Sequence, residues 1–170
     1  MNIVGIDPGN TGAIALLSPT NEVLDFWDMP ILQDGKRKRV NAALLAEIFR
    51  DIMSWCDFVP PRVFLEKVGV RPQEGAVGAF AFGRGVGILE GVIAANRCRI
   101  TEVAPNIWKA QMKLAGANKT ASRAEVLRRY PDLADRLRRV KDDGRAEAIL
   151  IALWGRKQMQ REERRGAVNA

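Results

Sequence analysis

The chain of 170 residues contains no histidine and only two cysteines, Cys56 and Cys98. Without histidine there is no Ser-His-Asp or Cys-His nucleophilic machinery, no zinc-protease helix and no imidazole proton shuttle. Two cysteines are too few for a disulfide scaffold or a structural zinc site, which favours a reducing compartment. Acid–base or metal chemistry in this protein must therefore use carboxylates, lysines and water.

Long apolar runs are also missing from the sequence. We find neither a basic leader followed by a long apolar stretch nor a segment that approaches the roughly 20 apolar residues needed to cross a bilayer. We therefore expect a soluble, cytoplasmic protein of a bacterial or phage-infected cell, without a membrane partner. A hydrophobic fraction of 47% is that of an ordinary globular domain. The sequence predicts one domain over residues 1–162 and a loose basic tail over residues 163–170.

Positive charge is concentrated in the C-terminal third. The net charge is +7, from 27 basic and 20 acidic side chains, and residues 119–170 contribute +6 of it. A second basic cluster is Lys36, Arg37, Lys38 and Arg39. Solvated helix faces and a flexible loop would explain both clusters, but counterion release from a phosphate backbone also favours them. We therefore favour a nucleic-acid partner.

The order of apolar segments predicts an α/β fold. Apolar runs predict five strands, over residues 2–7, 12–18, 22–28, 62–68 and 99–103. Helical spacing predicts helices over residues 41–55, 75–95, 105–112, 120–130, 133–139 and 144–161. Residues 29–40 are predicted to form a loop, and Asn41 is a predicted helix N-cap. A meander followed by alternating strands and helices indicates a ribonuclease H-like mixed five-stranded sheet flanked by helices.

Two helices carry specific packing expectations. In the first, the predicted buried stripe is Leu44, Leu45, Ile48, Ile52 and Met53. The second is rich in glycine, which weakens a helix, so we expect its glycines to permit close packing against a neighbouring element. We also expect its aromatic residues Phe80 and Phe82 to lie in the core.

Acidic residues stand at three places where an apolar strand or helix does not need them. Asp7 ends the first strand and Glu66 ends the fourth. The start of the last helix carries a further cluster: Asp142, Asp143 and Glu147. Each acid has a structural explanation of its own, as a turn former, a helix cap or an exposed strand end. Together they predict a Mg²⁺ or Mn²⁺ site, because clustered carboxylates repel one another unless a cation lies among them.

Five motifs in this order resemble the RuvC-type Holliday junction resolvases of the ribonuclease H-like superfamily. They are Gly5–Gly9, Phe64–Val68, Phe82–Gly87, the block from Val103 to Lys119, and Lys141–Ala148. The last motif is similar to that of the phage-type and chloroplast-type branch. The resemblance implies a homodimeric endonuclease that resolves four-way or branched DNA junctions by paired symmetric nicks. It also implies a two-metal mechanism with Mg²⁺, for which Mn²⁺ substitutes.

The resemblance also implies site residues. Its metal-binding catalytic acids are Asp7, Glu66, Asp143 and Glu147, and Asp142 stays open as a rival ligand. Lys109 and Lys119 fall where the family keeps basic residues near the scissile strand, where a lysine can neutralise the transition state. DNA contacts are expected from these lysines and other basic residues, namely Lys36, Arg37, Lys38, Arg39, Arg71, Arg84, Lys109, Lys119, Arg123, Lys141 and Arg145.

Three alternative functions stay open on the sequence. A ribonuclease H-like enzyme that cuts RNA or RNA–DNA hybrids would use the same acids. A nucleotide phosphotransferase would use the segment Asp7–Gly12 as a phosphate-binding hairpin, although such enzymes need two domains of this kind. A junction-binding protein without catalysis would need only the basic charge.

Overall fold

A mixed five-stranded sheet forms the centre of the protein, in a computed structural model that describes residues 1–35, 37–69, 75–118 and 120–168. Its strands are β1 (Ile3–Asp7), β2 (Ala13–Leu17), β3 (Val23–Asp28), β6 (Arg62–Glu66) and β7 (Arg99–Val103). Their spatial order is β3-β2-β1-β6-β7, with β1, β6 and β7 parallel and the first three strands antiparallel. A separate antiparallel hairpin consists of β4 (Ile31–Asp34) and β5 (Arg37–Val40).

Helices cover both faces of this sheet. They are α1 (Ala42–Trp55), α2 (Ala76–Ala95), α3 (Pro105–Gln111), α4 (Ala121–Arg129) and α5 (Asp143–Val168). Helices α1 and α2 pack on one face, and α3, α4 and α5 pack on the other, so the sheet separates two apolar cores. The predicted N-cap is present, since the Asn41 side chain accepts a hydrogen bond of 3.2 Å from the Leu44 amide.

Strand alternation places the strand-end acids beneath α5. Along β1, Ile3 belongs to the core under α5, while Val4 and Ile6 belong to the core under α1. Because side chains alternate between the faces of a strand, Asp7 lies on the same face as Ile3. In β6, Phe64 belongs to the core under α5, and Glu66, two residues later, lies on the same face of the sheet.

Helix α5 approaches the sheet closely at three glycines. A Cβ atom added to Gly5 would lie less than 3.0 Å from the Ala148 carbonyl oxygen of α5. One added to Gly144 would be equally close to the Thr11 carbonyl oxygen, and one added to Gly155 would overlap the ring of Phe64. These positions therefore need glycine because of close backbone approach, and the approach brings the start of α5 against the end of β1.

Three segments differ from the sequence-based expectations. Residues 29–40, predicted as a loop, contain the β4–β5 hairpin, which turns at Gly35 with a positive φ of 57°. The helix predicted over residues 133–139 is replaced by short 3-10 turns, because Pro131 cannot continue the preceding helix. The expected loose tail is helical as far as Val168, consistent with the helix-forming Arg, Glu and Gln residues of this segment.

The buried face of α1 is rotated from the predicted stripe. Leu44 is 42% exposed, whereas Leu45, Ile48, Phe49 and Ile52 are buried. The buried set follows the i, i+3, i+4, i+7 spacing of one helix face, and Leu44 falls outside it. The prediction therefore included Leu44 wrongly and missed Phe49.

Helix α2 is much less covered than expected. Phe80 is 74% exposed, so its assignment to the core is wrong, while Leu89 and Ile93 are buried against the sheet. The expected close packing of the α2 glycines is also wrong for Gly83, Gly87 and Gly91, which have open space around them.

Helix α2 has 20 residues and a mean hydropathy of 1.5, and by length and composition alone it is long and apolar enough to cross a membrane. The expectation that no such segment exists is therefore corrected.

Close packing at the start of α5 predicts contrasting effects of two glycine substitutions in that helix. Gly144→Ala should lower the free energy of unfolding by about 1–3 kcal/mol, because its methyl group overlaps the Thr11 carbonyl. Gly166→Ala, where the added atom meets open space, should be neutral or stabilise by up to about 1 kcal/mol. Urea denaturation monitored by circular dichroism measures both, and equal effects would contradict the close approach.

Candidate active site

Two acidic side chains end neighbouring parallel strands. Asp7 is the last residue of β1, and its Oδ1 accepts a hydrogen bond of 3.0 Å from the Gly9 amide. Glu66 is the last residue of β6, and its Oε2 accepts a hydrogen bond of 2.7 Å from the indole Nε1 of Trp108. Trp108 itself is completely buried. A backbone amide and a rigid indole therefore hold these two carboxylates.

The charge of Glu147 acts on both of these carboxyl groups, and Asp7, Glu66 and Glu147 together form the acidic cluster of this site. Burial raises the pKa of Asp7 to about 6, and the charge of Glu147 contributes to the rise. Burial likewise raises the pKa of Glu66 to about 7, with contributions from the charges of Asp7 and Glu147. The hydrogen bonds from Gly9 and Trp108 act in the opposite direction, as does the charge of Lys109.

Glu147 enters the cluster from the first turns of α5 and is held by two neighbouring helices. Its Oε1 lies 2.9 Å from Nζ of Lys109 on α3 and accepts a hydrogen bond of 3.2 Å from Oγ of Ser122 on α4. The Lys109 ammonium also lies 5.1 Å from the centre of the Trp108 ring. Lys109 on α3 and Ser122 on α4 therefore both hold Glu147 of α5, and Lys109 places a positive charge beside the carboxylates.

Asp142 and Asp143 have different surroundings, although they are adjacent in sequence. Asp142 is buried and accepts hydrogen bonds of 2.6 and 2.8 Å from the guanidinium of Arg139, with Arg145 at 3.7 Å. Burial alone would raise the pKa of Asp142, but the bonds from Arg139 and the charge of Arg145 keep it below its usual value. All of these contacts belong to the end of the protein around Asp28, so Asp142 serves to hold the segment before α5.

Among the described residues, no donor forms a hydrogen bond with one carboxylate oxygen of Asp143. Its Oδ1 is buried and lies 3.9 Å from Nε of Arg123, beyond hydrogen-bond distance. Asp143 stands one helical turn before Glu147 on α5, so the two project from the same side of the helix. A buried carboxylate oxygen that lacks a donor is available to a cation.

The donor set fits a hard divalent cation. Asp7, Glu66, Asp143 and Glu147 offer carboxylate oxygens only, which is the chemistry that Mg²⁺ and Mn²⁺ prefer. The orphaned Oδ1 of Asp143 is consistent with such a ligand. Within the described part of the chain, however, no three or more acidic or cysteine side chains are already drawn together as a metal cage. In this arrangement the Lys109 ammonium compensates part of the negative charge.

The basic residues predicted from the sequence separate into two groups. Lys38, Arg39 and Lys141 are exposed and line shallow depressions around Asn10, on the loop that follows Asp7. Arg84 is also exposed and lines an adjacent depression together with Arg39.

The second group is engaged within the protein. Arg145 pairs with Asp28 at 2.5 Å, and Arg123 donates to the Arg139 carbonyl at 2.5 Å. Lys36, Arg71 and Lys119 lie outside the described residues, as does the side chain of Arg37, so their roles stay predictions.

Three site residues were missed in the sequence. Trp108, Ser122 and Gly9 each donate a hydrogen bond to one of the clustered acids. The sequence holds one usable signal, since Trp108 directly precedes Lys109 in the motif block, but its bond to Glu66 spans 42 residues. Nothing in the local pattern indicates Ser122.

Comparison with known proteins identifies the fold. No protein-family model and no curated protein sequence matches the chain. Among solved structures, RuvC of T. thermophilus in complex with a Holliday junction substrate aligns with a TM-score of 0.59, over 91% of each chain, at 15% identity. A second Thermus thermophilus RuvC structure aligns with a TM-score of 0.50, over 91% of this chain and 92% of that one, also at 15% identity. The predicted ribonuclease H-like fold is therefore confirmed, and it is RuvC-like.

Raised pKa values predict a pH-dependent stability of the protein in EDTA. Below pH ~4, Asp7 and Glu66 are protonated in both the folded and the unfolded protein. Between about pH 4 and pH 7, the folded protein retains protons on these two acids that the unfolded chain has released. The contribution of these acids to stability is therefore present at low pH and is lost as the pH rises through about 6 to 7. Chemical denaturation across this range should show a shallower loss in Glu66→Gln than in the parent protein. Identical pH profiles would contradict the cluster. The difference between the two profiles is the quantity to compare, because acids with lowered pKa such as Asp28 act in the opposite sense.

The indole donor predicts a separate effect on metal affinity. Trp108→Phe keeps most of the buried volume but removes the hydrogen bond to Glu66, so the affinity for Mn²⁺ should fall roughly tenfold or more. Electron paramagnetic resonance of free Mn²⁺ measures this without DNA or turnover. Trp55→Phe is the matched control, since Trp55 is 55% exposed on α1. Equal affinities of the two variants would exclude an orienting role for Trp108.

Proposed function

We propose that this protein is a Mg²⁺-dependent, structure-selective endonuclease that resolves four-way or branched DNA junctions by paired symmetric nicks. The observation that carries the proposal is the half-buried cluster of Asp7, Glu66 and Glu147, with Lys109 beside it, at the ends of two parallel strands. Acids with raised pKa values beside a fixed cation are typical of catalytic sites. The RuvC-like fold supports the choice of nucleic-acid chemistry.

Each residue of the cluster has a distinct task in this proposal. Asp7, Glu66, Asp143 and Glu147 would hold the ions, which when bound supply an activated water and stabilise charge on the leaving oxygen. The Gly9 amide and the Trp108 indole orient the first two carboxylates.

Lys109 has a different task, as the positive group nearest to the acids. Its ammonium can exchange Glu147 for a phosphate oxygen, where it would stabilise the negative charge that develops during in-line attack. Lys119 is proposed for the same surface on the strength of the sequence motif.

The exposed basic side chains around the Asp7 loop support a nucleic-acid substrate. Lys38 on the β4–β5 hairpin and Lys141 before α5 line one depression together with Asn10. Arg39 and Arg84 line an adjacent depression between the hairpin and α2. Phosphate contacts of this kind position a substrate without reading its sequence, as a structure-selective enzyme requires.

A second copy of the chain is the proposed protein partner. Val77 and Phe80 on α2 are more than 70% exposed, and Gly87 and Gly91 leave the same helix open to close approach. Such an apolar surface is typical of an interface rather than of a solvated face. A two-fold dimer would present two sites to a two-fold symmetric junction, which accounts for paired nicks.

Cleavage of defined substrates tests this function. With Mg²⁺, the protein should nick a labelled four-way DNA junction symmetrically, leave its linear duplex arms and an RNA–DNA hybrid intact, and lose activity in EDTA. Asp7→Asn, Glu66→Gln and Glu147→Gln should each lower the rate by about two orders of magnitude or more. Glu163→Gln, an exposed acid near the other end of α5, is the matched control and should cut normally.

Two outcomes of this experiment would replace the proposal. Cleavage of the hybrid alone would identify a ribonuclease that uses the same acids. Tight junction binding without cleavage in either Mg²⁺ or Mn²⁺ would identify a junction-binding protein.

A further inference from the structure

A basic pocket lies away from the acidic cluster, beside the C-terminal ends of α3 and α4 and the middle of α5. Its volume is about 380 Å³, and its described lining includes Lys113, Arg128, Arg129 and Lys157, with Glu125 as its acidic member. None of these side chains contacts the clustered acids. The pocket is therefore a second feature with a chemistry of its own.

The positive charge of this pocket exceeds what its acid can balance. The Glu125 carboxylate is shared between two guanidiniums, at 2.8 Å from Nε of Arg128 and 2.7 Å from Nε of Arg129. Within the described residues, neither Lys113 nor Lys157 forms an ion pair with a carboxylate. Two amino groups thus remain to bind an anion.

Burial and the crowding of these cations both lower the pKa of Lys157. Burial lowers the pKa of its ammonium, and the charges of Arg129, Arg161 and Lys113 lower it further. Its described neighbour is the Met112 sulfur at 3.8 Å from Nζ, a weak acceptor. An anion in the pocket would relieve this repulsion. Preference for basic side chains at a helix C-terminus accounts for Arg128 and Arg129 at the end of α4 and for Lys113 after the end of α3, but it does not account for Lys157 in the middle of α5.

Three helices connect the pocket with the candidate active site. Helix α5 carries Glu147 in its first turns and Lys157 near its middle, about 15 Å apart along the helix axis at 1.5 Å per residue. Helix α3 carries Lys109, and Lys113 follows its end. In a duplex whose axis runs parallel to α5, one strand presents a phosphate about every 3.4 Å, so this separation corresponds to about four or five phosphates.

We propose that a DNA arm lies along α5 and that this pocket binds one of its backbone phosphates, about four or five nucleotides from the scissile phosphate. The proposal rests on the proposed nuclease function, because the separation between pocket and acids gives the position of that phosphate. Lys113 and Lys157 provide the charges that meet the phosphate oxygens, and the paired arginines maintain the positive potential around it. A lysine serves here as a point charge, which suits a contact that does not depend on sequence.

Binding of a fluorescent four-way junction over a KCl series tests the pocket. The variant is Lys113→Gly with Lys157→Gln. Glycine at position 113 relieves the positive φ of 62°, so any loss of binding cannot be assigned to backbone strain introduced there. The control is Arg50→Gln with Arg99→Gln, which removes the same charge from α1 and from the start of β7, away from the pocket. Anisotropy in EDTA reports affinity without turnover, and thermal melting checks that each variant folds.

The variant should bind roughly three- to tenfold more weakly than the control at about 100 mM salt. Its slope of log affinity against log salt should be smaller by about one, the value for one lost phosphate contact. Equal affinities and slopes in variant and control would overturn the proposal.

Neutral methylphosphonates give the position of the contact. Each junction carries one methylphosphonate in place of a backbone phosphate, at up to about seven nucleotides from the cut. Replacement near the fourth position should weaken binding by the parent protein and leave binding by the variant unchanged. A scan in which both proteins lose affinity equally at every position would overturn the proposal. The proposal would also be overturned if the variant showed a smaller salt slope than the control on RNA duplexes but not on DNA.

These results separate the pocket from the nuclease function. If the parent protein cuts junctions while the variant behaves as the control does, the pocket assignment is wrong and the function stands. If the parent protein cuts no substrate but the variant still loses one phosphate contact on duplex DNA, the pocket stands and the nuclease function is wrong.

Discussion

Close contact between α5 and β1 is the constraint on which the rest of the site depends. Gly5 and Gly144 remove the side chains that would separate the helix from the strand and its following turn. Ala148 and Ala152 continue the same narrow face of the helix, and both are completely buried. Without this approach Glu147 would stand farther from Asp7, and the charges that raise the pKa of one another would be screened.

Like charges persist in this site because the surrounding groups offset their repulsion. Burial and proximity both disfavour the ionised forms of Asp7 and Glu66, so the folded chain holds them at a cost in stability. The amide of Gly9, the indole of Trp108 and the ammonium of Lys109 return part of that cost through hydrogen bonds and charge. Such an arrangement makes little sense for stability alone, which is why the cluster supports a functional interpretation.

The strand-end acids and the sheet could be predicted from the sequence because both depend on local pattern. Apolar runs gave the strands, and an acid at the end of two of them identified Asp7 and Glu66. The distinction between Asp142 and Asp143 could not be predicted, since it depends on the distant partners Arg139 and Arg145 and on where the 3-10 turn before α5 ends. Nor does an apolar pattern show whether a face has a partner within the same chain, as the exposed Phe80 demonstrates.

Charge asymmetry along the chain follows from the chemistry proposed for it. A cluster of carboxylates repels a phosphate backbone, so a polyanionic substrate can reach the acids only if positive charge around them outweighs that repulsion. Lys38, Arg39 and Lys141 supply such charge beside the Asp7 loop, and the pocket at Lys157 supplies it farther along α5. Helix α5, buried through its middle from Ala146 to Arg156, keeps the acids and that pocket at a constant separation. In the proposed function, catalysis and substrate binding would both depend on this one rigid helix, which would account for the excess of basic residues in the C-terminal third.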